Sequence, residues 1–237
     1  MRWLILLFLI VLTACARPLS PAEKSFATQI HGDTIDVTRI RMRDGALVGK
    51  TTFKRERRPR LTCRERILPE PREEIVTVSP AAVVLYNDVF YSKDWYEPDF
   101  LPNYPEAMSL FHVMLFAHEI THVWQWQNRA ATNYTPFKSA AEHTRSDDPY
   151  LFDINTSARF LDYGYEQQAS IVEEYVCCKA LDPTAPRTER LAKMLRGAFP
   201  LGELKVPEKV VLPWDGAACS SSPARALSSS ATVSSTP

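Results

Sequence analysis

Leu110-Phe111-His112-Val113-Met114-Leu115-Phe116-Ala117-His118-Glu119-Ile120-Thr121-His122-Val123-Trp124 is the stretch that organises everything else in this chain. It lies within a run from Ala107 to about Asn128 that has no Gly or Pro, and its apolar residues fall on nearly every side of a 3.6-residue period. That pattern predicts a long central, buried helix, with Pro105-Glu106 in its first turn. His118 and His122 are four residues apart, so on a helix they project from one face, one turn from each other. Two imidazoles so placed reach one ion at about 2.0–2.1 Å each. Histidines and a glutamate on an otherwise apolar helix are costly to bury without a partner, and a divalent metal, zinc first among them, is the partner this spacing suits. Glu119 follows the first ligand, where a carboxylate takes a proton as water attacks a carbonyl and then passes it to the leaving group.

Outward from this helix, Ile75-Val76-Thr77-Val78, Ala82-Val83-Val84-Leu85-Tyr86 and Val89-Phe90-Tyr91 are β-branched and aromatic, with Pro80 dividing the run. They read as strands, and Ile35, Val37 and Ile40 suggest another over residues 33–40. Residues 92–106 read as loop, and 130–160 hold short helices at most. A second long helix is expected from about Tyr165 to Leu181, ended by Pro183 and Pro186, and a third over roughly Thr188 to Phe199. Residues 215–237, mostly Ser, Ala and Thr, read as a disordered tail.

The N-terminus reads as address rather than fold. Met1-Arg2 precedes the apolar run Trp3–Leu12, too short to span a bilayer, and then Leu12-Thr13-Ala14-Cys15. The last four residues resemble the lipobox of bacterial lipoproteins. That resemblance implies cleavage before Cys15, a lipid on its thiol, a tether over residues 16–25 and, with Ala rather than Asp at 16, the outer membrane facing the periplasm. The 237 residues are 45% hydrophobic and 24% charged with net charge zero, which gives no global attraction to nucleic acid. Seven Gly against 18 Pro argue against a Gly-rich nucleotide loop. Residues 50–66 hold eight Lys/Arg and two Glu, read here as a solvated loop or edge hairpin rather than a patch for anionic glycan or lipid. In an exported chain Cys63, Cys177, Cys178 and Cys219 face oxidising conditions. Cys177 and Cys178 are adjacent and leave a helix on different sides, so Cys63 and Cys219 can each take one of them.

The segment Leu115-Phe116-Ala117-His118-Glu119-Ile120-Thr121-His122-Val123-Trp124-Gln125 carries the H-E-x-x-H motif. It resembles the core of a metalloprotease domain found in bacterial secretion and contractile-injection (eCIS-type) proteins. Asn87-Asp88-Val89-Phe90-Tyr91 and Asp99 are similar to the strand and loop that lead into that helix. Glu166-Gln167-Gln168-Ala169 looks like the matching segment of Vgr- or Rhs-associated relatives. The resemblance covers residues 80–175 and implies a small zincin-like fold with peptidase activity. The lipoprotein-like signal departs from that pattern, as does the lack of an injection module in these residues. The metzincin extension would need Gly at 125 and His at 128, where this chain has Gln125 and Asn128.

A gluzincin-like third ligand from a downstream helix is implied instead. Glu166 is preferred, with Ala169 and Ser170 at the positions where such enzymes place a small residue and one that orients the first histidine. Glu173, two turns on from Glu166, is the rival ligand or a partner behind the first shell. His143 is a further candidate, as ligand or oxyanion donor, and Asp147 and Asp148 are outside choices. Glu174 falls about 100° round the helix from Glu173, toward solvent. Tyr163 and Tyr165 could donate to an oxyanion, though ordinary packing explains them as well.

The expectation is therefore an α+β, zincin-like domain over residues 26–214: a small β-sheet on a central buried helix, then a mainly helical half. It would bind Zn2+ through His118, His122 and Glu166 and use Glu119 to hydrolyse peptide bonds of an envelope peptide or protein. The rival is a catalytically silent, metal-stabilised envelope binding or structural lipoprotein.

Overall fold

The computed structural model describes residues 16–45, 49–54, 60–70, 73–146, 148–155 and 158–213. The proposed signal with Cys15, the basic residues 55–59, Asp147, Cys219 and the Ser/Ala-rich tail lie outside the described residues. The strands are β1 (Ala16–Pro18), β2 (Arg41–Asp44), β3 (Thr51–Lys54), β4 (Ile75–Val78), β5 (Ala82–Leu85), β6 (Asp88–Tyr91), β7 (Ala107–Ser109) and β8 (Lys209–Val211). The helices are α1 (Pro21–His31), α2 (Cys63–Ile67), α3 (Leu110–Gln127), α4 (Arg129–Thr132), α5 (Pro136–Arg145), α6 (Tyr165–Leu181) and α7 (Pro186–Arg196). The fold is mixed α+β. No helix among the described residues is long and apolar enough to cross a membrane.

The main sheet runs β1-β2-β6-β5, antiparallel except for the parallel pair β2/β6, where Met42 faces Val89. Both side chains are fully buried, and together with Phe26, Tyr91, Phe100 and Phe116 they join sheet, α1 and α3 in one core. Burial of each such side chain stabilises the fold by about 1.5–3 kcal/mol before entropy is counted. α6 packs along α3, and α2 and α7 lie against α6. α3 and α6 therefore form the centre of the domain.

Three expectations need correction. Residues 16–25 are not a free tether. Ser20 caps α1 in a reciprocal box with Glu23, Leu19 is buried, and the fully buried Glu23 carboxylate accepts both guanidinium nitrogens of Arg17 at 2.7 and 2.8 Å and the Phe100 N–H. Arg17 itself lies in β1, so this stretch is stitched into the sheet. Residues 33–40 form no strand either. Gly32–Thr34 is a 3₁₀ turn, Asp36 accepts from Thr38 N and Oγ1, and the Asp36 backbone N–H and C=O are satisfied by the Gln127 side chain at the end of α3. With these groups already paired, strand pairing begins only at Arg41. Finally, α3 starts at Leu110, because Ala107–Ser109 pairs in parallel with Lys209–Val211, a partner about a hundred residues downstream.

Candidate metal centre

α3 and α6 bring three buried side chains to one point: His118, His122 and Glu166, each 5–6% exposed. Glu166 Oε2 lies 3.3 Å from Nε2 of His118 and 3.3 Å from Nε2 of His122. Two donors about 2.05 Å from one zinc ion at the tetrahedral angle stand about 3.3 Å apart, so the donor types and these two spacings fit a metal ion. Sequence spacing alone placed the two histidines; the structure adds Glu166 to them.

Each of the two histidines is held from behind. His118 Nδ1 lies 3.2 Å from Glu173 Oε2, so Glu173 takes the orienting role expected for Ser170 and is no ligand of this group. His122 Nδ1 lies 2.8 Å from Gln125 Oε1. The Gln125 amide has one possible orientation, because its Nε2 donates to the Tyr165 carbonyl and to Gln168 Oε1, while Gln168 Nε2 donates to the Tyr163 carbonyl. Gln125 Oε1 must therefore accept from His122 Nδ1–H, which turns Nε2 toward Glu166, where a metal can take the place of its proton.

Glu166 Oε1 accepts from Ser139 Oγ at 2.6 Å, and His143 Nε2 lies 3.4 Å away. His143 is exposed at the rim, outside the three-ligand group. The start of α6 is fixed by Glu142 of α5, whose carboxylate accepts from the Tyr165 and Glu166 N–H groups at 2.8 and 3.0 Å. A Cβ on Gly164 would come within 3.0–3.2 Å of both Glu142 oxygens, so this close approach calls for glycine.

The charges are strongly coupled. Burial opposes charge on His118, but hydrogen bonds to Glu166 and Glu173 outweigh it and hold the imidazole up at about 10. Burial likewise opposes ionisation of Glu166, yet the histidines bring its carboxyl well below the usual carboxylate range. Burial opposes ionisation of Glu173 as well, but Arg64 and His118 together bring its carboxyl below the usual range. Burial pushes Glu119 up, against the pull of His118 and His122. A cation entering here displaces protons held by the histidines.

Two aromatic residues that the sequence did not single out flank the group. Tyr150 lies 5.9 Å from the His118 ring, and Tyr134 is stacked on His122 at 5.9 Å. Tyr163 and Tyr165 face elsewhere: their hydroxyls donate to the Asp153 and Asn133 carbonyls. Asp148 caps its own turn at Tyr150 N. Glu174 is not solvated. It is 2% exposed, accepts from Arg187 Nε at 2.6 Å and Cys63 N at 2.5 Å, and is covered by α2 and α7. Cys63 is disulfide-bonded to Cys177, while Cys178 is buried and has no disulfide partner among the described residues, which do not include Cys219.

Fold and site together define a mixed α+β domain with a buried His-His-Glu group that could hold a metal ion. No family model matches the chain. It is 26% identical over 186 residues, 78% of its length, to the type VI secretion system spike protein VgrG2b of Pseudomonas aeruginosa, and spans 15% of that protein. The effector domain of Pseudomonas aeruginosa VgrG2b is a similar solved structure, with a TM-score of 0.49 at 23% identity, covering 78% of this chain and 84% of that one.

Proposed function

We propose that this chain is a zinc-dependent peptidase with a zincin-like fold, in which His118, His122 and Glu166 hold the metal and Glu119 is the general base. The carrying observation is the equal 3.3 Å spacing of Glu166 Oε2 from the two Nε2 atoms. Among the described residues three protein donors converge, the number found in catalytic zinc sites; this favours the peptidase over the metal-braced binding protein. When bound, zinc polarises the carbonyl under attack and acidifies the attacking water.

The chain's own residues do the rest. Glu119 is 6% exposed, and its burial raises its affinity for a proton. A carboxylate so tuned accepts the proton of the attacking water and delivers it to the leaving amine nitrogen. Glu173 and Gln125 keep both imidazoles turned toward Glu166. Tyr134 and Tyr150 wall the site with ring faces, which excludes bulk water. β5, an edge of the main sheet beside α3, offers unpaired backbone groups to an extended peptide.

The peptidase unit in this reading runs over residues 16–213, because 16–25 pack into it. The envelope, with a lipid on Cys15 and a periplasmic peptide or protein substrate, rests on the N-terminal sequence alone.

The test is metal content and proteolysis of the full chain. Wild type and Glu119→Gln should each carry about one zinc, with hydrolysis of an unfolded protein lost in Glu119→Gln. Glu166→Ala should lose the metal. Wild type that takes up no zinc after loading, or a Glu119→Gln variant as active as wild type, overturns the proposal.

A further inference from the structure

Three arginines of the segment carrying α2 behave differently. Arg60 donates to the carbonyls of Arg66 and Leu68, and Arg66 donates to those of Arg60 and Leu61. Arg64 reaches instead toward α6. Its Nη1 lies 3.5 Å from both oxygens of Glu173, the carboxylate that orients His118. The Arg64 side chain is 48% open to solvent, against 6% for Glu173. Among the described residues its Nε and Nη2 donate no hydrogen bond. Through Glu173 the guanidinium is one residue removed from His118 of the metal group, and the charges of Glu173, Glu65 and Glu119 favour its protonated form.

The segment that presents Arg64 is rigid. Cys63, its neighbour, is covalently tied to Cys177 of α6, the Cys63 N–H is held by Glu174, and Thr62 and Glu65 form a reciprocal cap. A half-open guanidinium on a fixed backbone, with one nitrogen on a long ion pair and the rest of its fork unpartnered, suits bidentate capture of a carboxylate. The charge balance permits it. A divalent ion and Arg64 together offset Glu119, Glu166 and Glu173, so an incoming anion meets no net negative charge.

We propose that Arg64 forms an anion subsite beside the metal centre, and that the protein selects peptides carrying a carboxylate next to the bond held at that centre. The carboxylate is either the free C-terminus or the side chain of an acidic residue. This rests on the metal group being the reaction centre.

The test is calorimetric binding of acetylated tetra-alanine peptides to zinc-loaded full-length Glu119→Gln protein, which leaves bound peptide uncut. One arm compares the free C-terminal acid with its amide; the other compares amidated peptides ending in Glu and in Gln. In at least one arm the charged peptide should bind about 10-fold tighter or more. That preference should vanish when Arg64→Gln is added and partly return with Arg64→Lys, which keeps the charge but not the fork. Because Arg64 also pairs with Glu173, zinc content is measured in every variant and affinities are compared at full zinc occupancy; level neutral-peptide affinity then separates loss of the subsite from loss of the fold. Equal affinity for charged and neutral peptides in both arms, no binding of any probe, or a preference that survives Arg64→Gln overturns the proposal. The arm that shows the preference identifies the source of the carboxylate. An Arg64-dependent preference in a protein whose wild type cuts no peptide would refute the peptidase reading and leave the subsite standing.

Discussion

Replacing both Cys63 and Cys177 by alanine removes the covalent link between α2 and α6, and its cost follows from the distance the link spans. The two cysteines are 114 residues apart in sequence. In the chain-entropy treatment, closing a loop of that length removes about 16 cal/mol/K from the unfolded state, or about 4.8 kcal/mol at 25 °C. Both residues are fully buried, so alanine, which brings no polar atom, is the appropriate replacement. The Cys63 N–H to Glu174 bond can survive in the variant and retain part of the docking of α2. The expected loss is therefore about 3–5 kcal/mol, a large fraction of the roughly 5–15 kcal/mol typical of a folded domain. Urea unfolding followed by far-UV circular dichroism reads this as a drop in midpoint, and wild type in excess dithiol should drop by a similar amount. A double variant within about 1 kcal/mol of wild type would show that closing this loop does not stabilise the protein, and the chain-entropy argument would fail.

Two further perturbations probe the metal helix. His31 is fully buried between Trp124 and Phe199, its Nδ1 has no hydrogen-bond partner, and burial lowers its pKa to about 3. Because the folded pKa lies below the unfolded value of 6.5, its contribution is intact above pH 6.5 and declines as pH falls towards 3, by up to about 1.4 kcal/mol per unit. His31→Leu should thus be less acid-labile than wild type by about 2–3 kcal/mol at pH 4.5 in urea melts; parallel pH profiles would contradict a neutral buried imidazole. Gln125→Leu removes the acceptor on His122 Nδ1 and should weaken zinc about 10–100-fold in a chelator competition. Unchanged affinity would mean that the amide relay does not orient that ligand.

The parts of the site legible in the sequence were those whose geometry is local. Two histidines one helical turn apart face the same way wherever the helix is packed, and apolar residues on every side of Ala107–Asn128 already require burial. Glu166 came from resemblance, because the relative placement of two helices more than forty residues apart is not a local property. Gln125 looked like a departure from a known motif and holds the His122 ring in place. Its role depends on Gln168 and two backbone carbonyls that only the packing of α6 on α3 brings within reach.

Helix type and extent for α6 were set by its own residues and by the prolines after it, and the strands at 75–91 by β-branched residues and turns between them. Which polar side chains on α6 are buried was not. Glu173 and Glu174 look alike in sequence, yet one turns to His118 and the other to Arg187 and Cys63, because α2 and α7 close over that face. The choice of Cys177 over Cys178 has the same origin, as only one of two adjacent residues on a helix can point at α2. The sequence by itself determined a buried central helix with His118 and His122 on one face and Glu119 beside them, and the mixed α+β class. Tertiary structure alone decided how Glu166 meets the two histidines, which groups orient their rings and which cysteine is bridged, since each depends on how separate elements meet in space.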